Sequence, residues 1–363
     1  MTETMKATIH NFNAGPSILP RTVFEQASQA ILDFNGSGLS ILEIGHRTPL
    51  FEAVMQEARQ LVRDLMQLDA DHEVLFLHGG ATTQFMQVPM NLLQESGIAS
   101  YTETGTWAEK AIREGKLFGH VEIAGSSKAN QYRNIPKELS VAPTASYLHI
   151  TSNETIAGTQ WHRLPYDSGV PLVADMSSDI LSRMVDFNKF DLIYAGAQKN
   201  MGAAGVNLVV VNKQVLGKVT RVIPTILDYR NHIKEASMLN TPPVFAVYVA
   251  MLTLRWLQEQ GGVAAIEKAN RRKANLFYET LDGLPLFQGL VAREDRSMMN
   301  AVFVIPDPVV EKEFLDRCSR EGMVGVKGHR STGGFRVSMY NALPMESVVA
   351  LTDLMKDFAS RKG

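Results

Sequence analysis

Val170–Pro171–Leu172–Val173–Ala174–Asp175 and, further along, Asp191–Leu192–Ile193–Tyr194–Ala195–Gly196–Ala197–Gln198–Lys199–Asn200 decide the reading of this chain. Each is a short apolar run that stops abruptly in polar or small residues. The same kind of run recurs at Glu73–Leu77, Ile98–Thr102, Val121–Ala124, Tyr147–Ile150 and Val206–Val211. Several are apolar throughout rather than alternating, which suits strands covered on both faces. Between the early runs lie helical periods. In Phe51–Leu68, for example, Phe51, Val54, Met55, Ala58, Leu61, Val62 and Leu65 fall on one face, after Pro49 and a Thr48 expected to cap the helix. A further helix is expected over Arg21–Phe34. The pattern predicts an α/β fold, a large domain with a mostly parallel sheet flanked by helices.

Beyond Pro242–Pro243 a long apolar helix is expected, then Gly261–Gly262 and another helix to about Leu281. Strands near Ala301–Ile305 and Phe335–Tyr340, with helices near Val309–Glu321 and Met345–Ala359, read as a smaller α+β domain. The expected division is a large domain over residues 16–260 and a small C-terminal domain over 261–363, with residues 1–15 packing against the small domain. A length of 363 residues suits two cores. A formal charge of -2 argues against a nucleic-acid partner. The single cysteine, Cys318, excludes an internal disulfide and a multi-thiolate metal site, and no H-x-x-x-H spacing suggests another metal centre. No run is long and apolar enough for a membrane span, and Met1–Asn13 has no signal-peptide core. A soluble, cytoplasmic protein is expected.

The chemistry starts at Lys199. Loop lysines are usually solvated, but this one follows a buried strand among glycines and alanines, where burial would lower the amine's pKa and suit it to a Schiff base. Asp175 ends the other strand, 24 residues earlier (199 minus 175). A carboxylate at the carboxyl end of such a strand lies where open α/β sheets bind ligands. Pyridoxal phosphate needs an anion of this kind against its pyridine nitrogen. Leu77–His78–Gly79–Gly80–Ala81–Thr82–Thr83 runs from strand through glycines into a helix, a place for a compact phosphate rather than a dinucleotide. Trp107, between strand and helix, can stack on a planar ring. The pairs His46–Arg47 and His329–Arg330, with Arg336 after Gly333–Gly334, offer forked donors for phosphate or carboxylate.

With Asn11–Phe12–Asn13–Ala14–Gly15–Pro16, Asn153–Glu154–Thr155, Asn240–Thr241–Pro242–Pro243 and Tyr340–Asn341–Ala342, these pieces in this order resemble the phosphoserine aminotransferases over nearly the whole chain. The resemblance implies a fold-type I enzyme using pyridoxal 5'-phosphate, a homodimer with active sites shared between subunits. It also implies small-molecule substrates, an amino acid and a phosphorylated keto acid: glutamate and 3-phosphohydroxypyruvate would give 2-oxoglutarate and O-phosphoserine. The 4-phosphohydroxythreonine of pyridoxine biosynthesis is a further candidate.

By the same resemblance Lys199 is the Schiff-base lysine and Asp175 the partner of the ring nitrogen. Trp107 stacks on the ring and Thr155 bonds the phenolic oxygen side. Ala81, Thr82 and Gln198 cradle the cofactor phosphate, which Asn240 and Thr241 reach from the partner subunit. His46, Arg47, His329 and Arg330 bind the substrate phosphate or the glutamate side chain, and Arg336 the α-carboxylate. Two positions depart from the pattern: Thr82 stands where some members have Arg, and Ala14 where some have Ser. The competing readings are a serine/alanine–glyoxylate aminotransferase of the same fold, which would not need two His-Arg pairs, and a binding protein that has lost turnover. A cysteine desulfurase would need a mobile thiol, whereas Cys318 falls in an expected helix.

Overall fold

A computed structural model describes residues 8–330 and 332–362; residues 1–7 of the expected N-terminal segment lie outside it. Its seven-stranded sheet runs in the order His72–His78, Val206–Asn212, Leu192–Gly196, Leu172–Asp175, Ala145–Thr151, Ile98–Glu103, His120–Ser126. The pairings are parallel except those of Val206–Asn212, which is antiparallel to both neighbours. Only residues 197–205 separate it from the strand before, too few for the crossover that a parallel neighbour requires.

Both faces of the sheet are covered, as the unbroken apolar runs require. Leu148, Ile150, Leu172, Ala174, Ile193 and Ala195 pack toward the helices Arg21–Leu32, Pro49–Met66 and Val244–Glu259. Tyr147, Val173, Leu192 and Tyr194 pack on the other side with Phe85 and Val88 of helix Ala81–Leu92 and with Ala111 and Ile112 of helix Thr106–Gly115. Each aliphatic chain buried this fully stabilises the fold by about 1.5–3 kcal/mol. The stripe expected on Pro49–Met66 is its buried face. Thr48 stands at the cap position, but its hydroxyl donates to the Gly45 carbonyl at 2.8 Å instead of capping the helix.

Helix Gly262–Gly283 belongs to two cores: Val263 and Ile266 join the large one, Ala274, Phe277 and Leu281 the small one. The small core rests on the antiparallel strands Gln288–Gly289, Asn300–Val304 and Phe335–Ser338 and the helices Pro308–Arg320 and Met345–Ser360. Phe303 and Phe335 stack in it with ring centroids 5.0 Å apart. His10–Asn11 adds a parallel pairing to Met323–Val324, and Phe12 enters the small core.

A polar seam joins the halves. Asn153 donates to Ser178 Oγ and Asn300 Oδ1, both at 2.8 Å, and accepts from Ser297 Oγ at 2.5 Å. Asn300 Nδ2 donates to Ser338 Oγ at 3.0 Å, and the Tyr340 hydroxyl donates to the Ala14 carbonyl at 2.8 Å. Among the described residues, no helix is long and apolar enough to cross a membrane.

Candidate active site

The strands ending at Asp175 and Gly196 are parallel neighbours, with Asp175 opposite Tyr194. Residues separated in sequence therefore finish at the same carboxyl end of the sheet. After Gly196 the chain turns into the short helix Ala197–Asn200, which carries Lys199. The Lys199 Nζ donates to Thr155 Oγ1 at 2.7 Å and lies 5.2 Å from the centre of the Trp107 ring. Burial lowers this amine to about 8, against the opposing pull of the Asp175 and Glu154 carboxylates. Its backbone is anchored from the N-terminal segment: Ser17 donates its hydroxyl to the Lys199 carbonyl and its N–H to the Gln198 carbonyl at 3.0 Å.

Asp175 is 4% exposed, and its Oδ1 accepts from the Ser177 N–H at 2.9 Å. Burial raises its pKa, while Lys199 holds it down. A desolvated carboxylate whose charge is supported by a nearby cation and a backbone N–H is suited to hold a proton on an aromatic nitrogen.

The glycine turn before helix Ala81–Leu92 has the form an anion requires. Gly80 supplies no side-chain cap, which leaves first-turn N–H groups at Ala81 and Thr82 for a ligand. Gly79 has φ +97°, and a Cβ there would come within 2.0 Å of the Thr83 hydroxyl, so the turn is restricted to glycine. Thr241 lies beside the same turn, its carbonyl accepting from His78 Nε2 at 2.7 Å, next to half-buried Asn240.

Around this centre stand polar groups that no protein partner satisfies: Trp107 Nε1, Thr104 Oγ1, Thr151 Oγ1 and Arg336 Nε. Arg336 is half-buried on strand Phe335–Ser338, and burial lowers its pKa. His329 is lowered as well, first by burial and then by Arg336, Arg330 and Lys110, which marks a cationic mouth over the site. Arg330 is exposed.

Of the predicted substrate-binding residues, His46 and Arg47 do not join the cluster within one chain. They precede helix Pro49–Met66, and among the described residues no hydrogen bond or ion pair links either to Lys199, Asp175 or Thr155. His46 Nε2 is buried and unpartnered, and Arg47 is exposed. A separate cavity of about 640 Å³, lined by Lys137, Trp161, Arg163, Tyr166 and Asp295 among others, contains none of the predicted site residues.

Two groups received no role from sequence. Lys110 lies 4.4 Å over the Trp107 ring. Glu154 is wholly buried beside Thr155. Its signal was present: it is the one acidic or basic residue between Tyr147 and Trp161, apart from His149.

The pyridoxal phosphate expected from sequence fits what is present. There is a desolvated amine, a buried carboxylate, a glycine-lined helix start and an indole with an unpartnered N–H.

The family pattern described as Aminotransferase class-V matches residues 9–351. A phosphoserine aminotransferase of Flavobacterium johnsoniae is 54% identical over 353 residues, 97% of this chain and 99% of that protein. The solved phosphoserine aminotransferase from Bacillus circulans subsp. alkalophilus superposes with a TM-score of 0.95 at 44% identity, covering 98% of this chain and 99% of the other. A structure of PLP-bound phosphoserine aminotransferase from Trichomonas vaginalis gives 0.91 at 37% identity, covering 96% and 100%.

Proposed function

This chain belongs to the class-V aminotransferases, and from that premise we infer that it transfers the amino group of L-glutamate to 3-phosphohydroxypyruvate, giving O-phospho-L-serine and 2-oxoglutarate in serine biosynthesis. The observation that carries this reading is the Lys199 amine, lowered to about 8 and held by Thr155 at the carboxyl end of the sheet where Asp175 ends its strand. When bound, pyridoxal 5'-phosphate supplies the electron sink that stabilises a carbanion at the substrate α-carbon.

The chain's own residues do the rest. Lys199 Nζ would be the covalent attachment point for the cofactor and, when free, the base that moves the α-proton; an amine near operating pH can both take and return it. Asp175 would hold a proton on the cofactor's ring nitrogen, Trp107 would cover its ring, and Thr155 would donate to its phenolic oxygen. The N–H groups of Ala81 and Thr82, with Gln198, would hold its phosphate. Arg336 takes the α-carboxylate, and His329 and Arg330 take the distal anion, carboxylate in one half-reaction and phosphate in the other.

We assign the working form to a homodimer in the cytoplasm. His46 and Arg47, which make no bond to the Lys199 cluster within one chain, belong in this reading to the shared site, with Asn240 and Thr241 reaching the partner's cofactor phosphate. Mixing inactive Lys199→Ala and Arg47→Ala subunits tests it: recovered activity in the hybrid supports sharing, and none rejects it.

The substrate class is tested by the glutamate half-reaction. After glutamate has changed the visible spectrum, 3-phosphohydroxypyruvate restores the original band and glyoxylate does not. Restoration by glyoxylate alone would move the assignment to the serine/alanine–glyoxylate type.

A further inference from the structure

Glu154 is a carboxyl with no exposure to solvent. One oxygen, Oε1, accepts from the Ala108 N–H at 3.2 Å; the other, Oε2, has no partner. A buried oxygen left in this state is costly, and it calls for an explanation.

The helix it touches provides one. Helix Thr106–Gly115 begins at Gly105, which has no side chain to cap it. A Cβ on Gly105 would lie 2.4 Å from Glu154 Cδ and Oε2, so the glycine leaves the space that the carboxyl fills. Glu154 thus caps from a distant strand a helix that cannot cap itself, and the negative group sits at the positive end of the helix dipole. Trp107 is the second residue of that helix, and its ring faces Lys199 Nζ. Glu154 ends the short strand Asn153–Glu154, and the next residue, Thr155, holds the same amine.

We propose that Glu154 is a positioning residue for the transamination: it fixes the start of the Trp107 helix, sets the indole against Lys199, and supplies a negative charge that the Lys199 amine feels. This rests on the aminotransferase reading and deepens it. The electrostatics agree. Burial pushes the carboxyl up to about 7, with Asp175 adding to the rise and the amides of Ala108 and Trp107 and the Lys199 amine opposing it. Tyr132, bonded to Glu109, is a further titratable group that feels it. Conversely, Glu154 is among the groups that hold the Lys199 amine up.

The test compares Glu154→Gln, which keeps an oxygen for Ala108 but loses the charge, with Glu154→Ala, which loses both. The first readout is free of turnover: competitive acetylation of Lys199 in the cofactor-free full chain, followed by mass spectrometry of its peptide as pH is raised. Glu154→Gln should lower the midpoint by about one pH unit and lower the pH midpoint of the visible band in the holoenzyme in the same direction. Glu154→Ala should also weaken the near-ultraviolet dichroism of Trp107 and reduce kcat about tenfold further, with little change in KM for glutamate. An unchanged midpoint in Glu154→Gln overturns the proposal, even if Glu154→Ala fails to fold. A wild-type holoenzyme without a glutamate-sensitive visible band would instead overturn the aminotransferase reading beneath it.

Discussion

Lys199 and Lys273 are both taken out of water, and they are used in opposite ways. Lys273, 2% exposed and lowered by burial to about 7, spends its amino group on three carbonyls, those of Met339 and Leu343 at 3.2 Å and Tyr340 at 2.7 Å. It locks the turn whose Asn341 N–H reaches Asn200 Oδ1 across the seam at 2.9 Å. Lys199 has the single Thr155 hydroxyl and feels the carboxylates of Asp175, Glu154 and Asp179. The same contrast holds region by region. The seam of Asn153, Ser297 and Asn300 closes its hydrogen bonds on itself, whereas the site around Trp107 and Arg336 leaves donors open. Satisfied burial builds structure. Unsatisfied burial waits for a ligand or drives chemistry.

Substitutions should separate these two roles. The largest effect is expected from Lys199→Ala, which should lower turnover by about 10⁴-fold while leaving the urea midpoint at or above that of wild type; a large loss of stability would show that this lysine, too, is structural. Lys273→Met should do the reverse. Leaving three buried carbonyls unpaired costs about 2–3 kcal/mol, read as an earlier urea transition, with turnover per folded molecule nearly intact. Next comes Gly79→Ala, which places a methyl against Thr83 at a positive φ and should weaken cofactor binding roughly 10–100-fold at a cost of about 1–3 kcal/mol, measured by absorbance titration. A comparable loss of stability without a change in cofactor affinity would take that turn out of the site.

The smallest and most general test is pH. In the proposed function the cofactor would attach through the unprotonated Lys199 amine, whose folded pKa is about 8. Attachment to the cofactor-free chain should therefore rise about tenfold per pH unit below that value and level off above it. The stability sign follows from the same shift. The folded state sheds the Lys199 proton before the unfolded chain does, so the cost of burying this amine is complete below about 8 and is relieved as pH rises toward the unfolded value. Raising the pH should thus favour attachment below about 8 and this contribution to stability above it.

Much of the candidate site was legible in sequence because its parts lie at the ends of apolar strands and at glycine turns, where local composition alone forces a strand to stop. Lys199, Asp175, Ala81 and Thr82 are of this kind. The stripe on Pro49–Met66 was legible for a similar reason, since a period of 3.6 reports its own buried face. The Thr48 cap failed because the hydroxyl had a competing carbonyl at Gly45, a choice that depends on the path of the turn. Glu154 went without a role because its partners lie on the Trp107 helix, far away in the chain. His46 and Arg47 were named from the sequence, yet a single chain leaves them apart from Lys199.

By itself, the order of residues determined a covered, mostly parallel sheet, a lysine and an aspartate at strand ends, and a helix start open to an anion, since all of these follow from short-range pattern and backbone freedom. Tertiary structure alone decided that the Asp175 and Lys199 strands are neighbours, that Val206–Asn212 runs against them, and that Glu154 reaches the start of a bare helix. Desolvation and electrostatic coupling depend on which distant segments exclude water from a group, and no local pattern specifies that.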